Sequence, residues 1–180
     1  NENVQLPEIF HQIAQWARER EDQAAELTRF LTHFNPPGEF VIALFVVAVL
    51  PAIGEEFVFR GLIQRILYQA TNRAHVAIWV AAALFSAMHV QFFGFVPRLL
   101  LGALFGYLYY WSGDLKVAMI AHFVNNALSL TALYMHQLGY FDFDMEDTTM
   151  PPWPLVIASA AGTVSLLLVF KNYYSKRGTA

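Results

Sequence analysis

Glu55, Glu56 and Arg60 fall within six residues of one another, between FVIALFVVAVLPAIG and GLIQRILYQA, in a run that otherwise reads as a membrane-spanning helix. Each ionised side chain at a bilayer centre costs roughly 2.5–3.5 kcal/mol on insertion scales, so such a cluster must pair, face a hydrated cavity or do chemistry. Glu56 and Arg60 are four apart and can pair along one helix face. Glu55 lies about 100° away round the helix and is free to face something else. Two readings follow: a structural ion-pair cluster, or a working carboxylate at Glu55 beside a Glu56 that Arg60 holds in place.

Two further apolar runs carry polar residues, Phe85-Ser-Ala-Met-His89 at the end of one and His122-Phe-Val-Asn-Asn126 inside another. Alone, His89 reads as an interfacial residue at a helix end. His122 and Asn126 stack one turn apart and can simply bond helix to helix. Depth favours a shared site. Measured from the expected cytoplasmic face, Glu55 lies roughly 20 Å deep, His122 roughly 10 Å, Asn126 roughly 16 Å and His89 roughly 22 Å. A carboxylate and an imidazole can together hold and deprotonate a water. A second histidine and an amide can donate hydrogen bonds to the oxyanion that forms on a carbonyl carbon. That combination suits amide hydrolysis by activated water. G-x-S-x-G, a Ser/Lys dyad and H-E-x-x-H are all missing, and with no cysteine there is no thiol nucleophile or thiolate zinc site. Neutral histidine and carboxylate are also good zinc ligands. If a divalent metal such as zinc is used, Glu55, His89 and His122 are its candidate ligands, and spacing leaves that choice open.

The elements that must position these groups are helices. The 180 residues are 57% hydrophobic and only 14% charged, with a mean hydropathy of +0.41, too oily for a soluble globule. Five hydrophobic segments are expected, over Phe40–Tyr68 (interrupted by Pro51 and Gly54), Ala74–Val90, Pro97–Trp111, Leu115–Tyr134 and Trp153–Phe170. A bilayer core needs about 20 helical residues, so the second, third and fifth read as short and suit buried helices as well as spans. Ahead of them, residues 1–39 carry an apolar stripe at helical spacing, broken by mixed charge at Arg18 to Asp22, and predict one or two amphipathic helices. Asn35-Pro36-Pro37-Gly38 marks the boundary. The fold class expected is all-α, a polytopic membrane bundle with its core over 40–170 and a polar tail over 171–180. Arg65, Arg73, Lys116, Lys171, Lys176 and Arg177 fall on one side of five crossings, which the positive-inside rule makes cytoplasmic; the acidic FDFDMEDTT loop falls on the other. The net charge of −3, without a basic stripe, argues against a nucleic-acid partner. The chain opens at Asn1 without a signal-peptide pattern, and the expectation is a processed or shortened chain.

Glu55-Glu56-x-x-x-Arg60, Phe85-x-x-x-His89 and His122-x-x-x-Asn126, in that order, resemble the motifs of the CPBP intramembrane proteases (CAAX proteases and bacteriocin-processing enzymes, the ABI family), to which the type II CAAX prenyl proteases belong. The resemblance spans Phe40 to Tyr134. It implies that Glu55 activates water with help from His89, that Arg60 holds Glu56, and that His122 and Asn126 stabilise the oxyanion. Phe85 matches a motif position but is read as packing, and Asn125 as a neighbour. The family has been described both as metal-dependent and as metal-independent. The function expected is an intramembrane endopeptidase acting on a membrane-associated or lipid-modified protein, in a bacterial plasma membrane, with the bilayer and a peptide substrate as partners. Two alternatives are a non-catalytic scaffold or bacteriocin-immunity protein of the same family, and a proton path or transporter using Glu55 and the histidines.

Overall fold

A computed structural model describes residues 8–32, 34, 37–92, 94–140 and 152–177. Among them every regular element is helical. The amphipathic region is one helix, α1 (Glu8–Thr32), which runs unbroken through the charged interruption. It leaves Phe10, Ile13 and Leu27 exposed and sets Trp16 edge-on to Phe92, with ring centroids 5.6 Å apart. Of the expected break, Pro37 opens the next helix, while Asn35 and Pro36 lie outside the described residues. The acidic FDFDMEDTT loop lies outside them too.

Helix α2 (37–71) is one continuous element, and its 34-residue stretch Gly38–Thr71 is long and apolar enough to cross a membrane. Pro51 and Gly54 do not end it. Instead it widens into π-helix at Leu44–Val49 and again at Phe57–Gln64, on either side of the α-helical turn pair Leu50–Glu56. A proline within a helix clashes with the carbonyl four residues back and leaves it without its usual donor. Here that carbonyl belongs to Val47, and it accepts a hydrogen bond from Asn126 Nδ2 at 3.2 Å. The wider π turns are frequent at functional sites, and the second begins directly after Glu56.

Two left-handed residues end helices by handing an amide back to the last turn. Asn72 (φ 51°) closes α2, and Gly113 (φ 68°) closes α4 (Phe95–Ser112). Between them runs α3 (Ala74–Met88). After the turn, Asp114 caps α5 (Leu115–Gln137) by accepting from the Lys116 amide at 2.9 Å. The core is built from small residues. A Cβ on Gly102 would sit 3.1 Å from Ala82 Cβ, and one on Gly106 would sit 2.9 Å from Ile78 Cγ2. Such residues let membrane helices approach closely, and Ile78, Ala82 and Ala103 form the buried contact of α3 with α4. A second cluster, Phe34, Ala43 and Leu130 with Phe40 and Tyr134 against it, ties α2 to α5.

Helix α6 (Trp153–Arg177) corrects the expectation of a short fifth segment. The apolar run stops at Phe170, but the helix continues through Lys171 to Arg177, and Trp153–Lys176 is long and apolar enough to cross a membrane. It is not a buried helix: none of its most apolar stretch is covered by protein. It meets α4 where Phe170 and Lys171 approach Trp111. Leu115–Gln137 is the third element long and apolar enough to span. The molecule is an all-α integral membrane bundle whose outer faces carry large exposed apolar side chains such as Ile120, Leu128 and Leu155.

Candidate active site

Glu56 and the second π stretch that follows it present a stripe of polar side chains, Glu56, Arg60 and Gln64, towards α4. Arg60 is buried, and its Nη1 donates to Glu56 Oε1 at 2.8 Å. Its Nη2 donates to the Gly102 carbonyl at 2.7 Å. The guanidinium also lies 4.8 Å from the centre of the Phe85 ring and 5.5 Å from that of Phe105, contacts that favour a cation over an aromatic face. One turn further on, Gln64 Nε2 repeats the pattern with the Gly106 carbonyl at 3.2 Å. The missing side chain at Gly106 leaves room for Gln64, whose Oε1 lies 2.9 Å from where a Cβ would stand, while the one missing at Gly102 leaves room for Ala82 and Phe85.

Glu56 is fully buried and serves two partners through one oxygen. Oε1 accepts from Arg60 and lies 2.8 Å from Nδ1 of His122 on α5. A carboxylate only accepts, so Nδ1 of His122 carries a proton. The imidazole is held flat against Phe105, with centroids 5.0 Å apart and planes 16° from parallel, and edge-on to Phe85. Its other nitrogen, Nε2, faces Glu55, with Oε2 of that residue 3.9 Å away. Glu55 Oε2 is buried and makes no hydrogen bond, although the side chain as a whole is 24% exposed. Glu55 is thus open on one side and faces a positioned imidazole on the other.

The remaining candidates are linked less directly. His89 caps α3; its Nδ1 lies 2.9 Å from the Phe85 carbonyl, and its ring meets Phe85 edge-on at 5.1 Å. It makes no hydrogen bond or ion pair with Glu55 or His122 among the described residues, and Phe85 lies between the two histidines as a common neighbour. Val90, immediately after His89, has φ 51°, a left-handed backbone that a β-branched residue adopts only under strain. Asn126 donates to Val47 and its Oδ1 accepts from Asn125 Nδ2 at 3.2 Å, so it pins α5 to α2 beside the site. Glu55, His89 and His122 do not converge as a metal-ligand set, and no other group of three such side chains does among the described residues.

Sequence reasoning did not name Gly102, Phe105 or Gln64. A signal was present: Gly102-x-x-x-Gly106 in an apolar helix is a close-packing pattern. Buried polar side chains opposite it need those backbone carbonyls.

Residues 37–128 match the type II CAAX prenyl endopeptidase Rce1-like family. All six candidate residues lie inside that stretch. The chain belongs to this family, which makes it a member of a group of CAAX-type intramembrane proteases. A curated relative, the uncharacterized protein YpbD of Bacillus subtilis (strain 168), is 30% identical over 89 residues, covering 47% of this chain and 42% of that protein. The chain therefore matches less than half the length of that relative. No solved structure matches.

Proposed function

We propose that the chain is an intramembrane endopeptidase that hydrolyses a peptide bond in a membrane-associated or lipid-modified protein, in a bacterial plasma membrane. The observation that supports this most is Glu55. Its buried carboxylate oxygen, which makes no hydrogen bond, lies 3.9 Å from Nε2 of an imidazole whose other nitrogen is held by Glu56, itself bonded to Arg60. In this reading Glu55 takes a proton from water as the water oxygen bonds to the scissile carbonyl carbon. His89, whose Nε2 is uncommitted, assists in orienting that water. The protonated Nε2 of His122 donates to the developing oxyanion, with the Asn126 amide beside it. Collapse of the intermediate then breaks the C–N bond, and the proton held by Glu55 passes to the leaving amine.

A reading of this kind asks for Glu55 without its proton and for His122 as an imidazolium, with a proton on each ring nitrogen. Cleavage should therefore fall on both the acid and the alkaline side of an optimum; a rate that stays level from pH 4 to 9 argues against the assignment. The direct test is Glu55→Gln, Glu55→Ala and His89→Ala, assayed for cleavage of membrane-tethered peptides after helicity is checked by circular dichroism. General acid–base groups contribute typically 10²–10⁴-fold, so cleavage should drop by about that factor while the fold persists. Full activity in the Glu55 variants removes the mechanism, whereas a parent chain that cleaves no membrane-tethered peptide leaves the scaffold alternative.

A further inference from the structure

A cavity of about 390 Å³ opens at the end of the bundle where α2 and α4 finish, away from Glu55. Its lining includes Gln64, Arg65, Tyr68, Tyr109 and Tyr110, with Ala74 at the start of α3. Three features of this lining point to a ligand. Gln64 is buried, 5% exposed, and after its Nε2 has bonded to Gly106 its Oε1 is left with no hydrogen-bond partner. Arg65 is exposed and has no carboxylate partner among the described residues. No carboxylate lies among the described lining residues, and the three tyrosines add hydroxyl donors. A ligand matched to this surface carries an anion for Arg65 and a hydrogen-bond donor for Gln64.

Position narrows the class. Tyr68 lies in the last turn of a membrane-crossing helix, and Tyr109 and Tyr110 in the last turn of its neighbour. Tyrosines at helix ends mark the level of the lipid headgroups. We infer that this cavity binds the phosphodiester headgroup of a membrane lipid, one whose headgroup also bears a hydroxyl donor, as phosphatidylglycerol does. The phosphate meets Arg65 and the tyrosine hydroxyls, and the headgroup hydroxyl meets Gln64 Oε1. Because Gln64 shares its helix face with Glu56 and Arg60, occupancy of the cavity fixes the same stripe of α2 that carries the candidate active site.

The test uses the full chain purified in dodecyl maltoside, with thermal unfolding followed as dihexanoylphosphatidylglycerol, dihexanoylphosphatidylcholine or inorganic phosphate is added below micellar concentrations. The expected result is a saturable rise in Tm with the glycerol lipid, at least threefold weaker apparent affinity for the choline lipid, which has no headgroup donor, and no shift with inorganic phosphate. Arg65→Gln should weaken the glycerol-lipid response at least tenfold. Ala74→Phe, which keeps the charge but fills the cavity, should do the same. Equal responses of the parent chain to the two lipids overturn the inference, and so does a glycerol-lipid response that survives both variants. So does a shift reproduced by inorganic phosphate alone, which makes the site one for a solution anion. The wild-type comparison of the two lipids decides the matter even if a variant does not fold.

Discussion

Arg60→Ala should be among the most damaging single substitutions in the chain. It leaves Glu56 buried with no cation, and breaking a buried ion pair from one side costs about 3–5 kcal/mol. The measurement is the unfolding temperature in detergent, and an unchanged value would mean that the pair is not holding the site. Arg60→Lys separates charge from shape. Lysine keeps the cation but offers a single point of donation where arginine uses two, one to Glu56 and one to the Gly102 carbonyl, so it should recover only part of the lost stability. Glu56→Gln is the complementary change. It keeps the volume but removes the charge shared by Arg60 and His122. Cleavage should fall together with stability, whereas Glu55→Gln should affect cleavage alone. That contrast distinguishes a carboxylate that positions an imidazole from one that meets the substrate.

At the scale of elements, the contact of α3 with α4 depends on two missing side chains, and they are not equivalent. A methyl on Gly106 meets Ile78 at 2.9 Å, while one on Gly102 meets Ala82 at 3.1 Å and Phe85 at 3.2 Å. Overpacking of this kind costs typically about 1–3 kcal/mol. Gly106→Ala should lie towards the upper end and Gly102→Ala towards the lower, as read from paired melting curves. Val90→Gly should behave in the opposite sense. Relief of left-handed strain of about 1–2 kcal/mol outweighs a glycine entropy cost of about 0.5–1 kcal/mol, so Tm should not fall. These elements were legible from the chain to different degrees. Apolar runs placed the segments within a few residues, because lipid demands long apolar helices. The extent of α6 was not legible, because Lys171 to Arg177 reads as a polar tail by composition and only the backbone shows the helix continuing. The pairing of Glu56 with Arg60 could be read from an i, i+4 spacing. The bond from Glu56 to His122, 66 residues away, could not, since it depends on how two helices are rotated against each other. For the same reason the sequence placed His89 near Glu55 by depth, while the structure joins it instead to the Phe85 carbonyl.

For the molecule as a whole, the outer surface carries the prediction. Leu128 lies near the middle of α5 and is 65% exposed. On a water-facing surface Leu128→Arg would be close to neutral, but at a bilayer midplane it should cost roughly 2.5–3.5 kcal/mol of insertion free energy. Carbonate extraction of membranes should therefore release more of this variant than of the parent chain. The interior has its own dependence on irregularity, centred on Pro51. Replacing it with alanine would return a missing amide to α2 and repair the spiral locally. The Val47 oxygen would then have a donor within its own helix, and Asn126 would have to compete for it. Such a variant should be straighter in that segment yet looser between helices, with faster amide exchange in α5 despite a more regular α2. A flaw in one rod is here the joint that keeps two rods together.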